Sequence, residues 1–399
     1  AKAAARLGVK KLAFVLSETR EFEACVKAST EGILLGAYKF DKYKGAADKE
    51  KDAKKKDGPT EALLLLPPTH EKSKALQAQV DLGVLVSEAT NWARDAVNEP
   101  PNAVTPTSLA KLATKLAKDA GLKIEVLDQG AIEELRMGMF LAVARGSVEP
   151  PKLVHIVYEP KNKKDKAKPP VAFVGKAITF DSGGLSLKPT DGMVDMKTDM
   201  AGSAAVIAAM KVVAELAPPF PVHAFLGACE NMPGGKAYKP GDIITSRLGK
   251  TVEITNTDAE GRLVLGDVIT WANEFKPACI IDLATLTGAC VVALGNYITG
   301  VFGQDDATVW GVLEAAKSAG EEMWRMPVTD LQKDALKSEV ADMKNSGERW
   351  GSAISAALFL REFVGETPWV HLDIAGPSTS PKERGYFSKG ATGVGVRTR

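Results

Sequence analysis

Four short runs of this chain are almost entirely apolar, and segments with helical spacing separate them. The runs are LVHIVYE, PVAFVGKAITF, VHAFLGAC and ACIIDLAT. A strand that is apolar on both sides must be covered on both faces, which is the situation of strands in α/β sheets. At roughly 150 residues per domain, the 399 residues also indicate more than one core. We therefore expect a two-domain α/β protein with mixed, twisted sheets covered by helices.

One long helix is predicted to divide the chain. Residues 71–98 carry apolar side chains at helical spacing, and the prolines of the following sequence NEPPN end the helix. On this basis, residues 1–75 form an N-terminal α/β domain that looks incomplete, residues 76–98 form a connecting helix, and residues 99–399 form the larger domain. The charged run DKYKGAADKEKDAKKKDGP in the first domain is expected to be a solvated loop.

Charge and hydropathy argue against several classes of protein. The chain has 51 Lys plus Arg and 50 Asp plus Glu, which gives a formal net charge of +1. No bulk charge therefore attracts nucleic acid or an anionic membrane. No uninterrupted apolar stretch approaches the roughly 20 residues that span a bilayer, and the N-terminus lacks the pattern of a signal peptide. We expect a soluble, cytoplasmic protein without nucleic-acid or membrane partners.

Acidic residues follow two of the predicted strands. Asp181 and the sequence SGG come directly after PVAFVGKAITF, and Asp258 and Glu260 follow the run TVEITN. Ligands of open α/β sheets bind at the carboxyl ends of strands, so both loops are candidate functional segments. Gly183 and Gly184 permit a tight turn next to Asp181.

These carboxylates are predicted to bind a pair of divalent metal ions. With Asp199 they form a set of four acids, which is interleaved along the chain with the cations Lys176, Lys188 and Arg262. Four carboxylates in one cleft repel each other unless protonation or a multivalent cation removes the repulsion. Oxygen ligands suit Mg²⁺ or Mn²⁺, and Zn²⁺ also accepts carboxylates. Surface salt bridges at loop ends are the alternative, because spacing alone does not bring these segments together.

Other catalytic patterns are absent from the sequence. It contains no GxxxxGK[ST], no GxGxxG after a strand and no GxSxG, which argues against a phosphate-binding loop and against a serine nucleophile. Its four histidines lie in separate segments, which excludes an HExxH metal site.

Several segments resemble the leucyl aminopeptidase family of metallopeptidases, the cytosol aminopeptidases. The strongest are VGKAITFDSGGLSLKP, MVDMKTDMAGSAAV and NTDAEGRLVLGD. Further segments that agree are EGILLGAYKFDKYKG, RDAVNEPPNAVTP, ENMPGG, KPGDI, IDLATLTGACVVALG, ADMKN, HLDIAGP and GATGVGVR. The similarity extends from about Thr30 to Arg399, and Ala177 stands where the family commonly has glycine. Residues 99–399 are then the catalytic metallopeptidase domain.

The resemblance implies a dinuclear metal site at the carboxyl ends of strands in the catalytic domain. The implied metal ligands are Lys176, Asp181, Asp199, Asp258 and Glu260, with Asp181 and Glu260 shared by both ions. As a ligand, Lys176 needs a neutral amine and hence a strongly depressed pKa. The implied catalytic residues are Lys188, which polarises the scissile carbonyl, and Arg262, which holds an anion such as bicarbonate. The implied substrate-binding residues are Met196, Asn256, Thr285, Leu286 and Gly288.

The resemblance also implies the reaction and the assembly. A metal-bridging hydroxide would cleave the first residue, preferably leucine or another apolar residue, from peptides with a free N-terminus. Each subunit would bind two divalent ions, Zn²⁺ or Mn²⁺ with Mg²⁺ as a third candidate, and the subunits would form a homohexamer of two trimers. Two alternatives stay open: a two-metal phosphoesterase, and a catalytically inactive scaffold of the same fold.

Overall fold

The computed structural model describes residues 4, 9–16, 22–45, 61–65 and 73–398. The helices among them are α1 Phe22–Gly36, α2 Ser73–Asn98, α3 Pro106–Asp119, α4 Gln129–Glu134, α5 Gly138–Ala144, α6 Lys163–Lys166, α7 Thr190–Met193, α8 Ala201–Leu216, α9 Gly261–Asn273, α10 Gly288–Leu294, α11 Asp306–Ala319 and α12 Ser352–Val364. The strands are β1 Lys11–Val15, β2 Glu61–Leu65, β3 Lys123–Leu127, β4 Lys152–Tyr158, β5 Val171–Asp181, β6 Val222–Asn231, β7 Ile243–Thr245, β8 Thr251–Glu253, β9 Cys279–Ala284, β10 Thr299–Gly303, β11 Met323–Arg325, β12 Met343–Lys344, β13 Trp369–Asp373, β14 Thr379–Ser380 and β15 Gly390–Ala391. Short 3-10 helices cover Met196–Thr198 and Asp330–Leu336. Most of the charged run predicted as a loop, residues 46–59, lies outside the described residues.

The centre of the protein is a mixed sheet. Within the described ranges it has eight strands, in the order β11-β10-β13-β9-β5-β6-β4-β3. The four middle strands β13, β9, β5 and β6 run parallel to one another, whereas β10, β4 and β3 pair antiparallel with their inner neighbours. Because parallel strands end at the same edge of a sheet, Asp181, Asn231, Ala284 and Asp373 all lie at one edge. The predicted α/β fold with mixed sheets is confirmed.

Helices cover both faces of this sheet, as strands that are apolar on both sides require. Along β6, Ala224, Leu226 and Ala228 are buried in the core formed with α2, α3 and α8. The alternating residues Phe225 and Cys229 are buried in the core formed with α5, α9 and α12. Two apolar layers therefore fix the position of the strands and of the sheet edge. Among the described helices, none is long and apolar enough to cross a membrane.

Helix α2 has nearly the predicted bounds and packs against both α1 and α8. Gly83 allows α1 to approach closely, because a Cβ at this position would lie 2.9 Å from Thr30 Cβ. The buried guanidinium of Arg94 donates hydrogen bonds to the carbonyl oxygens of Leu35 and Thr392, both at 2.9 Å. Helix α2 thus joins the end of α1 to the C-terminal segment.

A smaller sheet leads into the second acid-bearing segment. Strand β8 pairs antiparallel with β7 and parallel with β12. The run TVEITN is therefore a strand only over Thr251–Glu253, and this strand belongs to a sheet separate from the central one. Asp258 and Glu260 consequently reach the edge of the central sheet through the irregular loop 254–260, which leads into α9.

Two histidines on neighbouring strands share a hydrogen bond inside an aromatic cluster. His155 Nε2 and His223 Nδ1 are 3.0 Å apart, and the His155 ring stacks on Phe225 with 4.4 Å between ring centroids. Trp271 and Phe275 complete the cluster. Burial, and secondarily the neighbouring His223, lowers the pKa of His155 to about 3.

We expect this cluster to make the protein less stable as the pH falls below about 6.5, because the unfolded chain then binds a proton that folded His155 does not bind. Since the folded pKa is the lower one, the stabilisation is present above pH 6.5 and is lost towards pH 3. Between pH 7 and pH 5 the loss from this residue is about 2 kcal/mol of the free energy of unfolding. Urea unfolding of the wild type and of His155→Phe at both pH values measures it. The variant keeps an aromatic ring without a titrating group, and an unchanged pH dependence in that variant would contradict the expectation.

Candidate metal centre

Strand β5 and the turn after it carry three of the predicted site residues. Lys176 lies within the strand, and Asp181 is its last residue. The chain then turns at Gly183, which has a φ of +86° and donates its N–H to Asp181 Oδ1 at 2.9 Å. The Lys188 N–H donates to Ser182 O at 2.9 Å, and this hydrogen bond closes the turn and brings Lys188 beside Asp181. The SGG sequence thus forms the tight turn that its glycines predicted.

Reciprocal hydrogen bonds fix this turn to the loop 254–260. Thr257 Oγ1 donates to Gly183 O at 2.6 Å and accepts the Ser186 N–H at 2.7 Å. The Thr257 N–H in turn donates to Ser186 Oγ at 3.1 Å. Ser186 and Thr257 are 71 residues apart in the chain, and none of these bonds involves a carboxylate. The two acid-bearing segments are therefore held together by neutral groups.

Four carboxylates meet between these segments. Ligand oxygens of Asp181, Asp258 and Glu260 all lie within 4.8 Å of one another. Asp199 is joined to them through Lys176, whose Nζ is 2.9 Å from Asp199 Oδ1 and 3.0 Å from Glu260 Oε1. Asp181, Asp199 and Glu260 are each at most 5% exposed, which excludes surface salt bridges at loop ends. The structure thus brings together the four acids that the sequence left far apart.

Lys176 is a buried cation among these acids. Its Nζ also donates to Thr285 O at 2.8 Å, which connects β5 to the segment after β9. Burial opposes the charged amine, but the surrounding carboxylates, Asp199 foremost, outweigh burial and raise the pKa of Lys176. Without a metal ion, the carboxylates therefore keep Lys176 as an ammonium. The lowered pKa that a lysine ligand needs would have to come from the bound cations.

Lys188 is the second cation of the site. Its Nζ lies 2.8 Å from Asp181 Oδ2 and also contacts Asp258 Oδ1. Burial opposes its charge, but the neighbouring carboxylates, led by Asp181, raise the pKa of Lys188. The Lys188 side chain is 16% exposed, so this ammonium borders solvent and is positioned to donate to a bound molecule.

The acids offer the donor atoms that divalent ions bind. Asp199 Oδ2 and Glu260 Oε2 are buried and have no hydrogen-bond partner among the described residues. Burial, followed by repulsion from neighbouring carboxylates, raises the pKa of Glu260 and of Asp258. Buried carboxylate oxygens without donors are unfavourable unless a proton or a cation reaches them. These hard oxygen donors fit Mg²⁺, Mn²⁺ or Zn²⁺.

Arg262 lies in the first turn of α9, two residues after Glu260. Its Nη1 donates to Asn345 O at 3.0 Å, whereas its Nε has no hydrogen-bond partner among the described residues. Burial lowers the pKa of Arg262 to about 10, and the charges of Glu260 and Asp373 oppose this effect. Arg262 is therefore a charged guanidinium with an unused donor at neutral pH.

A cavity of about 660 Å³ connects the acids, the cations and the predicted substrate positions. The cavity is open beside Gly288, because a Cβ at this position would meet no atom within 4 Å. Every candidate residue named from the sequence lines this cavity: Lys176, Asp181, Lys188, Met196, Asp199, Asn256, Asp258, Glu260, Arg262, Thr285, Leu286 and Gly288.

Three buried polar residues that the sequence did not single out hold the site segments in place. They are Asn231, Asn345 and Asp373, each at most 1% exposed. Each belongs to a segment that resembled the family, namely ENMPGG, ADMKN and HLDIAGP. That resemblance was the only signal for them in the sequence, because a single amide or acid in an apolar context indicates no particular chemistry.

Asn231 connects the two acid-bearing segments. Its Nδ2 donates to Asp181 Oδ1 at 2.8 Å and to Thr257 O at 2.9 Å. The Tyr238 hydroxyl donates to the same Thr257 oxygen at 2.7 Å. Asn231 therefore orients the Asp181 carboxylate without adding charge.

Asn345 orients the loop 254–260 and Arg262 together. Its Oδ1 accepts the Thr255 N–H at 2.8 Å, and its Nδ2 donates to Asn256 O at 2.6 Å. Its own carbonyl oxygen accepts the hydrogen bond from Arg262. Strand β12 places Asn345 there by pairing in parallel with β8.

Comparison with known proteins points to one family. The model of the cytosol aminopeptidase family, catalytic domain, matches residues 91–399. A probable cytosol aminopeptidase of Solibacter usitatus is 47% identical over 390 residues, which are 98% of this chain and 78% of that protein. One of Alkaliphilus oremlandii is 50% identical over 368 residues, 92% of this chain and 72% of the relative. Among solved structures, the bottromycin maturation enzyme BotP in complex with Mn is 37% identical with a TM-score of 0.90, covering 99% of this chain and 84% of BotP.

Gly261 gives a test of how closely Lys176 is packed. A Cβ at Gly261 would lie 2.6 Å from Lys176 Nζ, so Gly261→Ala should push the ammonium away from its carboxylates. We expect a loss of about 2 kcal/mol in the free energy of unfolding from this overpacking. Gly311→Ala in α11, where a Cβ meets no atom within 4 Å, is the matched control and should be neutral or slightly stabilising. Urea unfolding measures the free energy of unfolding of both variants. Equal stability would show that the Lys176 side chain moves aside without cost.

Proposed function

This chain belongs to the cytosol aminopeptidase family, and from that premise we propose that it removes the N-terminal residue of peptides, with preference for leucine and other apolar residues. The family makes the chain a metal-dependent exopeptidase. The observation that carries the finer proposal is the convergence of buried carboxylates, two lysines and an arginine on one cavity. Such a set is suited to divalent ions and to an anionic transition state.

Two divalent ions are proposed to bind to five side chains, with two carboxylates shared between the ions. The buried, unpartnered oxygens of Asp199 and Glu260 support this assignment. Lys176 contributes its amine nitrogen and must be neutral to do so. The relative BotP was solved with Mn, which supports Mn²⁺ beside Zn²⁺ and Mg²⁺ as candidates. The proposed ligands are Lys176, Asp181, Asp199, Asp258 and Glu260, of which Asp181 and Glu260 are the shared pair.

The chain's own groups are proposed to bind the substrate and stabilise the developing charge. When bound, the two ions would supply Lewis acidity and a water molecule of lowered pKa. Lys188 donates a hydrogen bond to the scissile carbonyl oxygen, and this bond strengthens as negative charge develops there. The Leu286 carbonyl oxygen accepts a hydrogen bond from the free α-amine of the substrate. The lone pair of the same amine would bind one of the ions, which makes an unblocked N-terminus necessary.

Arg262 is proposed to hold a small anion rather than to act as a base. A guanidinium is too basic to accept a proton at neutral pH. Its fork of donors suits planar anions such as bicarbonate, and its Nε has no partner among the described residues. Arg262 would then hold such an anion next to the substrate, where it would supply a group able to exchange a proton during hydrolysis.

The preference for apolar residues is proposed from the cavity wall. Met196, Thr285 and Gly288 line it, and the space beside Gly288 is open. A leucine or methionine side chain fits apolar and small walls, whereas an acidic side chain would bring a further negative charge to the four acids.

Three further assignments follow from the family relationship. We propose a homohexamer of two trimers, a cytoplasmic location and peptides with a free N-terminus as substrates. Residues 1–75 would be a separate N-terminal domain, residues 76–98 the connecting helix and residues 99–399 the catalytic domain. The family model matches residues 91–399, which include the whole of the proposed catalytic domain and the end of the connecting helix.

Metal removal and add-back on Leu-p-nitroanilide test the proposed function. The protein should contain divalent metal and hydrolyse this substrate, lose turnover on chelation, and regain it with Zn²⁺ or Mn²⁺. N-acetyl-Leu-p-nitroanilide should resist cleavage, because an acylated nitrogen has no available lone pair with which to bind an ion. Hydrolysis of p-nitrophenyl phosphate instead of the anilide would favour a phosphoesterase, and metal binding without turnover of either would favour a scaffold.

On a panel of amino-acid p-nitroanilides, Leu and Met should react at least about tenfold faster than Asp or Gly, and equal rates would refute the preference.

Two substitutions separate metal binding from carbonyl polarisation. Glu260→Ala should abolish turnover and reduce bound metal, because it removes a proposed shared ligand. Lys188→Met should lower kcat by about 100-fold while the metal content stays that of the wild type. Metal analysis and steady-state kinetics on both variants provide the readout, with Asp119→Asn on the exposed end of α3 as a matched control for the loss of an acid. Metal loss in Lys188→Met would move Lys188 into the ligand set.

A further inference from the structure

The buried carboxylate of Asp373 lies behind the wall of the cavity. Asp373 is the last residue of β13 and is 1% exposed. Its Oδ2 accepts the Thr287 hydroxyl at 2.6 Å. Its Oδ1 accepts the N–H groups of Ala375 at 3.1 Å and of Leu286 at 3.3 Å. One carboxylate therefore fixes the segments that follow two neighbouring parallel strands, β9 and β13.

We propose that Asp373 is a positioning residue of the aminopeptidase site, which holds the segment Thr285–Thr287 so that the Leu286 carbonyl oxygen meets the substrate's α-amine. This inference rests on the proposed function. Asp373 does not line the cavity, whereas Thr285, Leu286 and Thr287 all do, so it acts through them.

The segment held by Asp373 also touches the acid cluster. Thr285 Oγ1 donates to Asp199 Oδ1 at 2.8 Å, and Thr285 O accepts the hydrogen bond from Lys176. Leu286 lies between these contacts and the Thr287–Asp373 bond. The direction of the Leu286 carbonyl is thus set from both sides, by the acid cluster at one end and by Asp373 at the other.

Asp373 requires its charge for this role. A carboxylate accepts hydrogen bonds at both oxygens, and all three groups that face it here are donors. An asparagine of the same shape would keep one acceptor and point an N–H₂ group at a donor. The negative charge of Asp373 also favours the charged form of the buried Arg262 guanidinium.

Kinetics on Asp373→Asn test the assignment. We expect KM for Leu-p-nitroanilide to rise about tenfold while kcat changes less than about threefold, because the lost charged hydrogen bonds loosen the amine contact. The inhibition constant of free L-leucine, which carries the same α-amine, should rise in parallel, and the metal content should stay that of the wild type. Asp267→Asn is the matched control, because Asp267 is also buried and accepts main-chain N–H groups, those of Phe140 at 3.0 Å and Arg247 at 2.8 Å, but neither of these two residues lines the cavity. It should leave KM unchanged even if stability falls.

Thr287 variants test the same contact from the other partner. Thr287→Val should raise KM as Asp373→Asn does, whereas Thr287→Ser, which keeps the hydroxyl, should leave KM at the wild-type value. The double variant Asp373→Asn with Thr287→Val should have a KM little above that of Asp373→Asn alone, because both substitutions remove the same interaction. If Asp373→Asn does not fold, the two Thr287 variants decide. An unchanged KM, or metal loss in Asp373→Asn, would overturn the inference while leaving the proposed function intact. A wild type without turnover of Leu-p-nitroanilide would overturn both.

Discussion

The balance of charge in a buried space is the constraint on which the site depends. Four of the carboxylates and three of the cations that line one cavity form the candidate site, and most of them are nearly inaccessible to solvent. In such surroundings, repulsion between like charges is screened far less than in water. The lysines offset part of it, yet Asp199 Oδ2 and Glu260 Oε2 have no donor among the described residues. The acids therefore have to be held in place by groups other than themselves.

The topology supplies that support. Parallel strands β5, β6, β9 and β13 end at one edge. Strand β5 ends with the acid Asp181 and β6 with the amide Asn231. The segment with the Leu286 carbonyl follows β9, and β13 ends with Asp373, which lies behind the cavity wall. Apolar packing on both faces fixes the strands, so their ends move little relative to one another. Asp258 and Glu260 arrive from the smaller sheet, and neutral hydrogen bonds from Thr257 and Asn345 fix their loop. Asp199 instead follows the 3-10 helix Met196–Thr198. The positions of the candidate ligands thus depend on sheet pairing and on neutral hydrogen bonds as well as on their own ion pairs.

The sequence predicts the helices and strands that have a regular apolar pattern, and the site residues that carry a charge. Apolar runs predicted the buried strands, and helical spacing with the prolines after Asn98 predicted α2 to within a few residues. The acids stood out because charge next to glycine at a strand end is unusual. The sequence did not indicate the sheet to which β8 belongs, because three residues carry too little pattern to identify their partner strand. Asn231 and Asn345 escaped notice because their roles depend on hydrogen bonds to residues that are 26 to 90 positions away in the chain.

The reciprocal bonds between the turn at Gly183 and the loop 254–260 have a consequence for the energetics of ion uptake. In small zinc domains the metal itself orders the polypeptide, and much of its affinity is lost to that ordering. Here the serine and threonine contacts would already have removed the conformational entropy of both loops when the chain folds. Binding of an ion would then mainly replace water and a proton, so that little of the binding free energy would be lost to ordering of the polypeptide.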